Sequence, residues 1–376
     1  MAYSCSTMVG MDERISAALL LMERADADPL EVAAACEVLC GFAQARQLQA
    51  IRDVSLADPP VSDPDGRLCD PAPAEIATAL AWTPAAASRR VDLAHDLHDH
   101  LPDVLAALRD GRIDLGKAQE IANGTFCLTP GTRTRLARAA CTYATTHTRG
   151  QLRAWLARQI ARLDPQAAEE RRKKAKRQRR VWIQPQPDGM AVLGAYLTAE
   201  EAQACYESLK GAVANHEGSI DAARADAFVE RLTGIAPGQP IPVQVLITPR
   251  GPELGGYGPL SPAHVSHLCA GTRPIQLSLP APTIGYRPGV RLTRFVKSRD
   301  RHCRFPGCRR PAVHCDLDHL VPWPTGSSTE RNLYCLCRYH HRLKTHTGWR
   351  VQIGPGRMLR WTSPRGHHYT TSPDDP

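Results

Sequence analysis

Five of the thirteen cysteines fall between Cys303 and Cys337, near the C-terminal end of this 376-residue chain. The hexapeptide CRFPGC places two cysteines on either side of a Pro-Gly turn, and the later run CLCRYHHRLKTH supplies another cysteine and histidines. Two soft ligands, a spacer and two further ligands are the arrangement of a structural zinc site. The spacing therefore predicts one tetrahedral zinc site with four ligands. These are Cys303, Cys308, Cys337 and His340.

Spacing alone leaves alternatives open at this cluster. Cys315 or Cys335 could replace one of the four ligands, and spacing does not decide whether His340 or its neighbour His341 is the histidine ligand. The simplest competing interpretation is a group of unrelated buried residues. The apolar stretch from Ile15 to Met22 is too short to cross a bilayer, and no signal peptide is evident. We therefore expect a cytoplasmic protein without a membrane segment, in which clustered cysteines bind metal more often than they form disulfides.

The segment between the two ligand pairs carries residues suited to phosphodiester hydrolysis. Asp318 and His319 occur in CDLDHLVPW, and Asn332 and His341 follow in the order of an HNH motif. Hydrolysis needs a water nucleophile, a base and a Lewis acid. A neutral imidazole makes His319 the candidate base. The mixed oxygen and nitrogen pair of Asp318 and His341 suits a catalytic divalent ion such as Mg²⁺, and Asn332 can hold the loop that carries His319.

These motifs resemble the actinobacterial (mycobacterial) 13E12-repeat proteins, in which an N-terminal domain of unassigned function precedes a C-terminal HNH endonuclease domain. The segments that carry the resemblance are YRPGVRLTRFVKSRDRHCRFPGC, CDLDHLVPW, ERNLYCLCRYHHRLKTHTGW and, upstream, LPDVLAALRDGRIDLGKAQEIA. The resemblance implies a ββα-metal fold, and it assigns His340 to zinc and His341 to the catalytic site. One position departs from the pattern. Many HNH modules carry a further histidine where this chain has Thr345, so the third protein ligand of the catalytic ion stays open.

Positive charge accompanies the motif. The chain has a net charge of +9, and residues 300–350 contain nine basic and four acidic residues, an excess of five. Such a concentration suits a DNA phosphate backbone, although an exposed helix face gives the same pattern. The predicted nucleic-acid contacts are Arg291, Arg294, Arg338, Arg342 and Lys344. The run RRKKAKRQRR at 171–180 is either a phosphate-binding strip or a solvated helix end, and residues 74–91 resemble a helix-turn-helix bearing Arg89 and Arg90.

The predicted fold class is α+β, in four parts. Residues 1–180 form a mainly helical region, and residues 181–289 a mixed α+β region belonging to the same domain. Residues 290–352 form the zinc-braced ββα-metal module, and residues 353–376, rich in Gly, Pro, Ser and Thr, form a flexible tail.

Three functions are compatible with these features. The first is a metal-dependent HNH endonuclease or nickase acting on DNA, linked to a mobile or repeated genetic element. The second is a DNA-binding protein with a zinc-stabilised but catalytically weak HNH fold, which Thr345 would favour. The third is a zinc-stabilised protein-interaction module, which leaves Asp318 and His319 unexplained. The sequence does not specify the oligomeric state.

Overall fold

The computed structural model describes residues 13–163, 165–212, 219–241, 243, 245–248, 251–254, 257–269, 280–283 and 285–373. Its first part is a helical bundle. The helices are α1 (Glu13–Glu23), α2 (Pro29–Ala57), α3 (Ala72–Ala79), α4 (Pro84–Asp99), α5 (Pro102–Arg109), α6 (Leu115–Thr125), α7 (Pro130–Ala144), α8 (Arg149–Leu163) and α9 (Pro165–Arg177). Within the described residues, no helix combines the length and apolarity needed to cross a membrane.

Capping residues set where several of these helices begin. The side chains of Asp28, Thr83 and Asp114 accept hydrogen bonds from backbone N–H groups in the first turns of α2, α4 and α6. The bundle core is built mostly from alanine and leucine side chains. Gly41 and Gly111 allow close packing, since a Cβ on Gly41 would lie 2.5 Å from the Leu108 carbonyl oxygen. Gly111 also has a φ of +67°.

The segment between α2 and α3 contains a short hairpin of β1 (Val61–Ser62) and β2 (Leu68–Cys69). The helix-turn-helix prediction is met in outline by α3 and α4, joined through Ala81 at a φ of +53°. Arg90, however, lies over the Trp82 ring at 5.4 Å. Arg89 lines a groove of about 680 Å³ that also contains two aspartates, which is unfavourable for phosphate binding.

The middle region contains small sheets and helices. An antiparallel hairpin forms from β3 (Arg180–Pro185) and β4 (Ala191–Tyr196). A small sheet contains β5 (Val245–Thr248), β6 (Gly251–Leu254) and β7 (Gly258–Pro259), and the helices of this region are α10 (Ala199–Ala212), α11 (Ile220–Thr233) and α12 (Pro262–Leu268). The basic run ends α9 and begins β3. Arg172 pairs with Glu200 at 3.3 Å and Arg179 with Glu201, so part of its charge is neutralised within the chain.

The C-terminal region has a core of its own. It contains α13 (Val290–Asp300), the hairpin of β8 (Cys315–His319) and β9 (Leu333–Cys337), α14 (Arg338–His346), and an antiparallel sheet of β10 (Arg350–Ile353), β11 (Leu359–Thr362) and β12 (His368–Thr371). The chain is thus of mixed α and β structure with small sheets, as the sequence predicts.

The prediction of a flexible tail at 353–376 is wrong for residues up to 373. Leu359 and Trp361 alternate along β11 toward the core and are 3% and 0% exposed. The indole Nε1 of Trp361 donates to the Arg304 carbonyl oxygen at 3.0 Å. The composition is rich in turn residues because two tight turns connect these strands, and the C-terminal module therefore extends beyond residue 352. Residues 374–376 lie outside the described residues.

The hairpin β1–β2 and α3 pack against the C-terminal region. Ala74 is fully buried in the C-terminal core. Ser363 donates to the buried carboxylate of Glu75 at 2.6 Å, and Arg365 donates to Asp58 at 2.9 Å. Residues 58–79 are therefore shared between the helical bundle and the C-terminal module, which the sequence-based division did not anticipate.

Replacing Trp361 with alanine should destabilise the protein by about 3–5 kcal/mol, because it leaves a large cavity in the C-terminal core. Ile353→Ala, on neighbouring β10 at a side chain 49% exposed, should cost less than about 1 kcal/mol. Denaturant unfolding of both variants measures these differences. Equal stability of the two would contradict the packed sheet.

Candidate metal centre and histidine cluster

The four predicted metal ligands meet at the junction of three elements. Cys303 and Cys308 lie in the loop after α13, where Gly307 has a φ of +71° and forms the turn. Cys337 ends β9, and His340 lies in the first turn of α14. The four ligand atoms lie within 4.8 Å of one another.

The chemistry of this cluster fits a metal ion. The Nδ1 of His340 lies 3.3 Å from the Cys337 sulfur and 3.5 Å from the Cys303 sulfur, and the Phe305 ring stacks on the imidazole at 3.9 Å. Hydrogen bonds from the other two thiols hold the pKa of Cys337 far below its usual value, whereas burial raises the pKa of Cys303. Three sulfurs and one imidazole could hold a metal ion and are compatible with zinc.

The alternative ligands take no part in this cluster. Cys315 is buried, and its thiol donates to the carbonyl oxygens of Arg310 at 3.7 Å and Pro311 at 3.5 Å, within the loop that follows the knuckle. Cys335 is buried in the hairpin, and burial raises the pKa of its thiol. Both side chains pack in the surrounding core and lie outside the four-residue cluster.

A second cluster lies on the face of β8 that looks toward α14. Asp316 and Asp318 share this face because side chains alternate along a strand. His341 donates from Nδ1 to Asp316 at 3.3 Å, and its Nε2 lies 3.4 Å from an oxygen of Asp318. A protonated His341 donates to both carboxylates, whereas a neutral His341 leaves Nε2 and the Asp318 oxygen as two acceptors that a cation could bridge. The residues present therefore fit a bound divalent ion.

The Asp318 carboxylate is charged despite being only 8% exposed. Burial opposes the charged form, but hydrogen bonds from His341 and Lys344 outweigh it and lower the pKa of Asp318. The hydrogen bond with Asp318 in turn raises the pKa of His341. Tyr334 adds a third donor to Asp318, at 2.9 Å.

His319 points to the opposite side of β8. Its Nε2 lies 2.9 Å from the Ser328 hydroxyl, which has carbonyl acceptors on Gly285 at 2.9 Å and Tyr286 at 3.2 Å. The Ser328 hydroxyl has one proton, which it donates to a carbonyl oxygen. It therefore accepts a hydrogen bond from Nε2–H of His319, and the lone pair of Nδ1 stays free. Burial lowers the pKa of His319, so the ring is neutral at physiological pH.

Asn332 closes the loop between β8 and β9. Its Oδ1 accepts from the Val321 backbone N–H at 2.8 Å, and its Nδ2 donates to the carbonyl oxygens of Val321 and Ser327, each at 3.0 Å. All three polar groups of the amide are engaged with the backbone. Thr345, which stands where a third ligand was sought, donates to the His341 carbonyl oxygen at 2.8 Å within α14.

The five basic residues predicted to contact nucleic acid do not share one surface. Arg291 and Arg294 are exposed on α13, and among the described residues neither has an ion-pair partner. Arg338 is largely exposed, with its Nε 3.2 Å from Asp316.

The other two have partners inside the protein. Arg342 donates to Asp63 of the β1–β2 hairpin at 2.9 Å, and Lys344 donates to Asp318 at 2.7 Å. Both side chains are therefore paired with carboxylates within the chain, and their predicted contacts with nucleic acid stay predictions.

Three residues of the site were not singled out from sequence. Asp316 could have been found from its spacing of two residues from Asp318 along a strand. Tyr334 lies directly opposite Asp318 in the β8–β9 register, so it follows from the pairing once that is known. Ser328 had no sequence signal, because its contact with His319 arises from the path of a loop.

The sequence profile of a family described as "Domain of unknown function (DUF222)" matches residues 38–230, about half of the chain. This chain belongs to the DUF222 family. The match covers most of the helical bundle and runs through α10 and most of α11. The Cys/His cluster lies outside the matched residues of this DUF222 protein.

Similar proteins occur in Mycobacterium tuberculosis. The uncharacterized protein Rv3776 is 55% identical over 91 residues, which are 24% of the DUF222 chain and 17% of that protein. The uncharacterized protein Rv2100 is 56% identical over 90 residues, 23% of the chain and 16% of that protein. The similarity thus spans about a sixth of the length of these relatives. No solved structure matches the chain significantly.

Metal analysis of the DUF222 protein should find about one tightly bound zinc per chain. Cys303→Ser should lose this metal and lower the thermal stability, because binding energy at such sites is largely folding energy. Cys315→Ser is the matched control, since Cys315 is buried nearby but lies outside the cluster. Loss of zinc from the control, with retention in Cys303→Ser, would overturn the ligand assignment.

Proposed function

We propose that this DUF222 chain is a metal-dependent HNH endonuclease or nickase that hydrolyses phosphodiester bonds of DNA. The observation that carries the proposal is the pairing of Asp318 and His341, with Nε2 of the imidazole 3.4 Å from a carboxylate oxygen, on a strand hairpin and helix beside the Cys/His cluster. In this proposal the ion in the Cys/His cluster is structural zinc.

Asp318 and His341 would hold the catalytic ion through one carboxylate oxygen and Nε2. Asp316 orients the imidazole by accepting from Nδ1, an arrangement typical of histidine ligands. When bound, a divalent ion such as Mg²⁺ supplies a Lewis acid for the phosphate and the leaving oxygen. The hard oxygen and imidazole donors suit several divalent ions.

His319 acts as the general base. The hydrogen bond to Ser328 fixes the ring orientation and leaves the lone pair of Nδ1 to accept a proton from the attacking water. Burial keeps the ring neutral, which a base at physiological pH requires. Asn332 holds the loop that begins directly after His319, so it is a positioning residue.

DNA would approach across exposed basic side chains of the C-terminal module. Arg291 and Arg294 lie on α13, and Arg309, Arg310 and Arg331 are exposed on the neighbouring loops. Phosphate contacts of this kind give affinity without sequence specificity.

The second candidate is a DNA-binding protein in which the HNH fold has little activity. Two observations favour it: Thr345 turns away from the cluster, and Lys344 already occupies one oxygen of Asp318. A cleavage assay separates the two candidates, since both predict DNA binding but only the first predicts turnover.

His319→Ala should lower the cleavage of supercoiled plasmid by at least about 100-fold in Mg²⁺, Mn²⁺ or Ni²⁺, because it removes the base. Zinc content and DNA affinity should stay unchanged. Ser328→Ala should lower the cleavage rate less, by about tenfold, because the His319 base remains but loses the hydrogen bond that orients its ring. Ser327→Ala is the control, because only the backbone carbonyl of Ser327 bonds to Asn332. Wild-type rates for His319→Ala, or cleavage that persists in EDTA, would refute the mechanism.

Arg291→Gln combined with Arg294→Gln should flatten the slope of log affinity for duplex DNA against log salt by up to about 1.8, because each phosphate that an arginine neutralises contributes about 0.9 to the slope. Arg342→Gln should leave the slope unchanged and lower the free energy of unfolding instead, because it leaves Asp63 buried without its cation. Binding isotherms at several salt concentrations measure the slopes. The reverse pattern would show that Arg342, rather than α13, contacts phosphate.

A further inference from the structure

Lys344 is held against the Asp318 carboxylate by several contacts. Its ammonium donates to one oxygen, Oδ2, at 2.7 Å and to the His319 carbonyl oxygen at 3.0 Å. It also lies 5.6 Å from the centre of the Tyr334 ring, and its side chain is only 18% exposed. The Tyr334 hydroxyl donates to the same oxygen at 2.9 Å. One oxygen of Asp318 is thus fully engaged, and the other, Oδ1, faces His341.

The charges around this carboxylate are balanced before any divalent ion binds. Asp316 and Asp318 contribute two negative charges, and Lys344 and Arg338 contribute two positive charges at 2.7 Å and 3.2 Å from them. His341 adds positive charge when it is protonated. Divalent-ion sites ordinarily gain affinity from uncompensated carboxylates. This cluster offers one carboxylate oxygen and one imidazole nitrogen without net negative charge.

We propose that Lys344 makes the ion site weak in the free protein, so that the site fills with a divalent ion only when a DNA phosphate supplies the missing negative charge. Lys344 thereby couples ion binding to substrate binding. This inference rests on the proposed nuclease function, because it assumes that Asp318 and His341 hold the ion. It gives Lys344 a role distinct from the phosphate contact expected from sequence.

The test is a titration of the full-length zinc-loaded protein with Mn²⁺, followed by the electron paramagnetic resonance signal of free Mn²⁺. Lys344→Met, which keeps an unbranched side chain one atom shorter and removes its charge, should bind Mn²⁺ at least tenfold more tightly than wild type, equivalent to about 1.4 kcal/mol. Lys297→Met is the matched control, since Lys297 lies on α13, donates to the Val313 carbonyl oxygen and should leave the affinity unchanged. Zinc content and thermal unfolding establish that each variant folds.

A second arm measures the coupling. Addition of a short DNA duplex to the His319→Ala protein should tighten Mn²⁺ binding, and the same addition to His319→Ala/Lys344→Met should tighten it at least threefold less. Asp318→Asn should abolish tight Mn²⁺ binding in every background.

The outcomes separate the inference from the function on which it rests. If Asp318→Asn abolishes Mn²⁺ binding but Lys344→Met binds no more tightly than wild type, the role of Lys344 is refuted and the ion site stands. If Lys344→Met binds Mn²⁺ more weakly, Lys344 orients Asp318 instead, and the inference is equally refuted. If Asp318→Asn leaves Mn²⁺ binding unchanged, the proposed ion site itself is wrong.

Discussion

The Cys/His cluster is the constraint on which the C-terminal structure depends. Cys337 is the last residue of β9 and directly precedes α14, and its thiol belongs to the Cys/His cluster. The cluster therefore fixes the direction in which α14 leaves the strand. Consecutive residues on a helix diverge by about 100°. With His340 turned toward the thiols, His341 must point elsewhere, and the direction available leads to Asp318. The spacing of 3.4 Å between Asp318 and His341 thus follows from the orientation of His340 in the Cys/His cluster beside them.

The sequence predicted the parts of the site whose chemistry is local. The knuckle cysteines could be chosen because ligand type and spacing restrict each other, whereas His340 was assigned by the family resemblance, and the structure brings these residues together. Contacts between distant segments could not be predicted. Arg342 looked like a phosphate contact because nothing near it in the chain is acidic, whereas its partner, Asp63, lies 279 residues away. The strand β11 was not predicted, because the many turn residues around it obscure the alternating pattern of the buried residues Leu359 and Trp361.

The helical region and the C-terminal module are joined more closely than two domains on a linker. Ala74 belongs to the C-terminal core, and Asp63 pairs with a side chain of α14, the helix that carries His341. Both residues lie within the part of the chain matched by the DUF222 profile. The family domain therefore contributes directly to the packing of the helix that bears the proposed ion ligand. A fragment limited to residues 290–352 would lack this support and the sheet that contains Trp361.

The contact between Ser363 and Glu75 joins residues 288 positions apart, and closing so long a loop is entropically costly and slow. During synthesis α3 leaves the ribosome early, with Glu75 and Ala74 still uncovered. The residues of the Cys/His cluster follow much later, and β11 later still. The last strands pack against residues that are synthesised early, so the C-terminal core can assemble only after almost the whole chain has been made. A prematurely ended chain would therefore contain the helical region but lack the strand that covers Glu75 and Ala74.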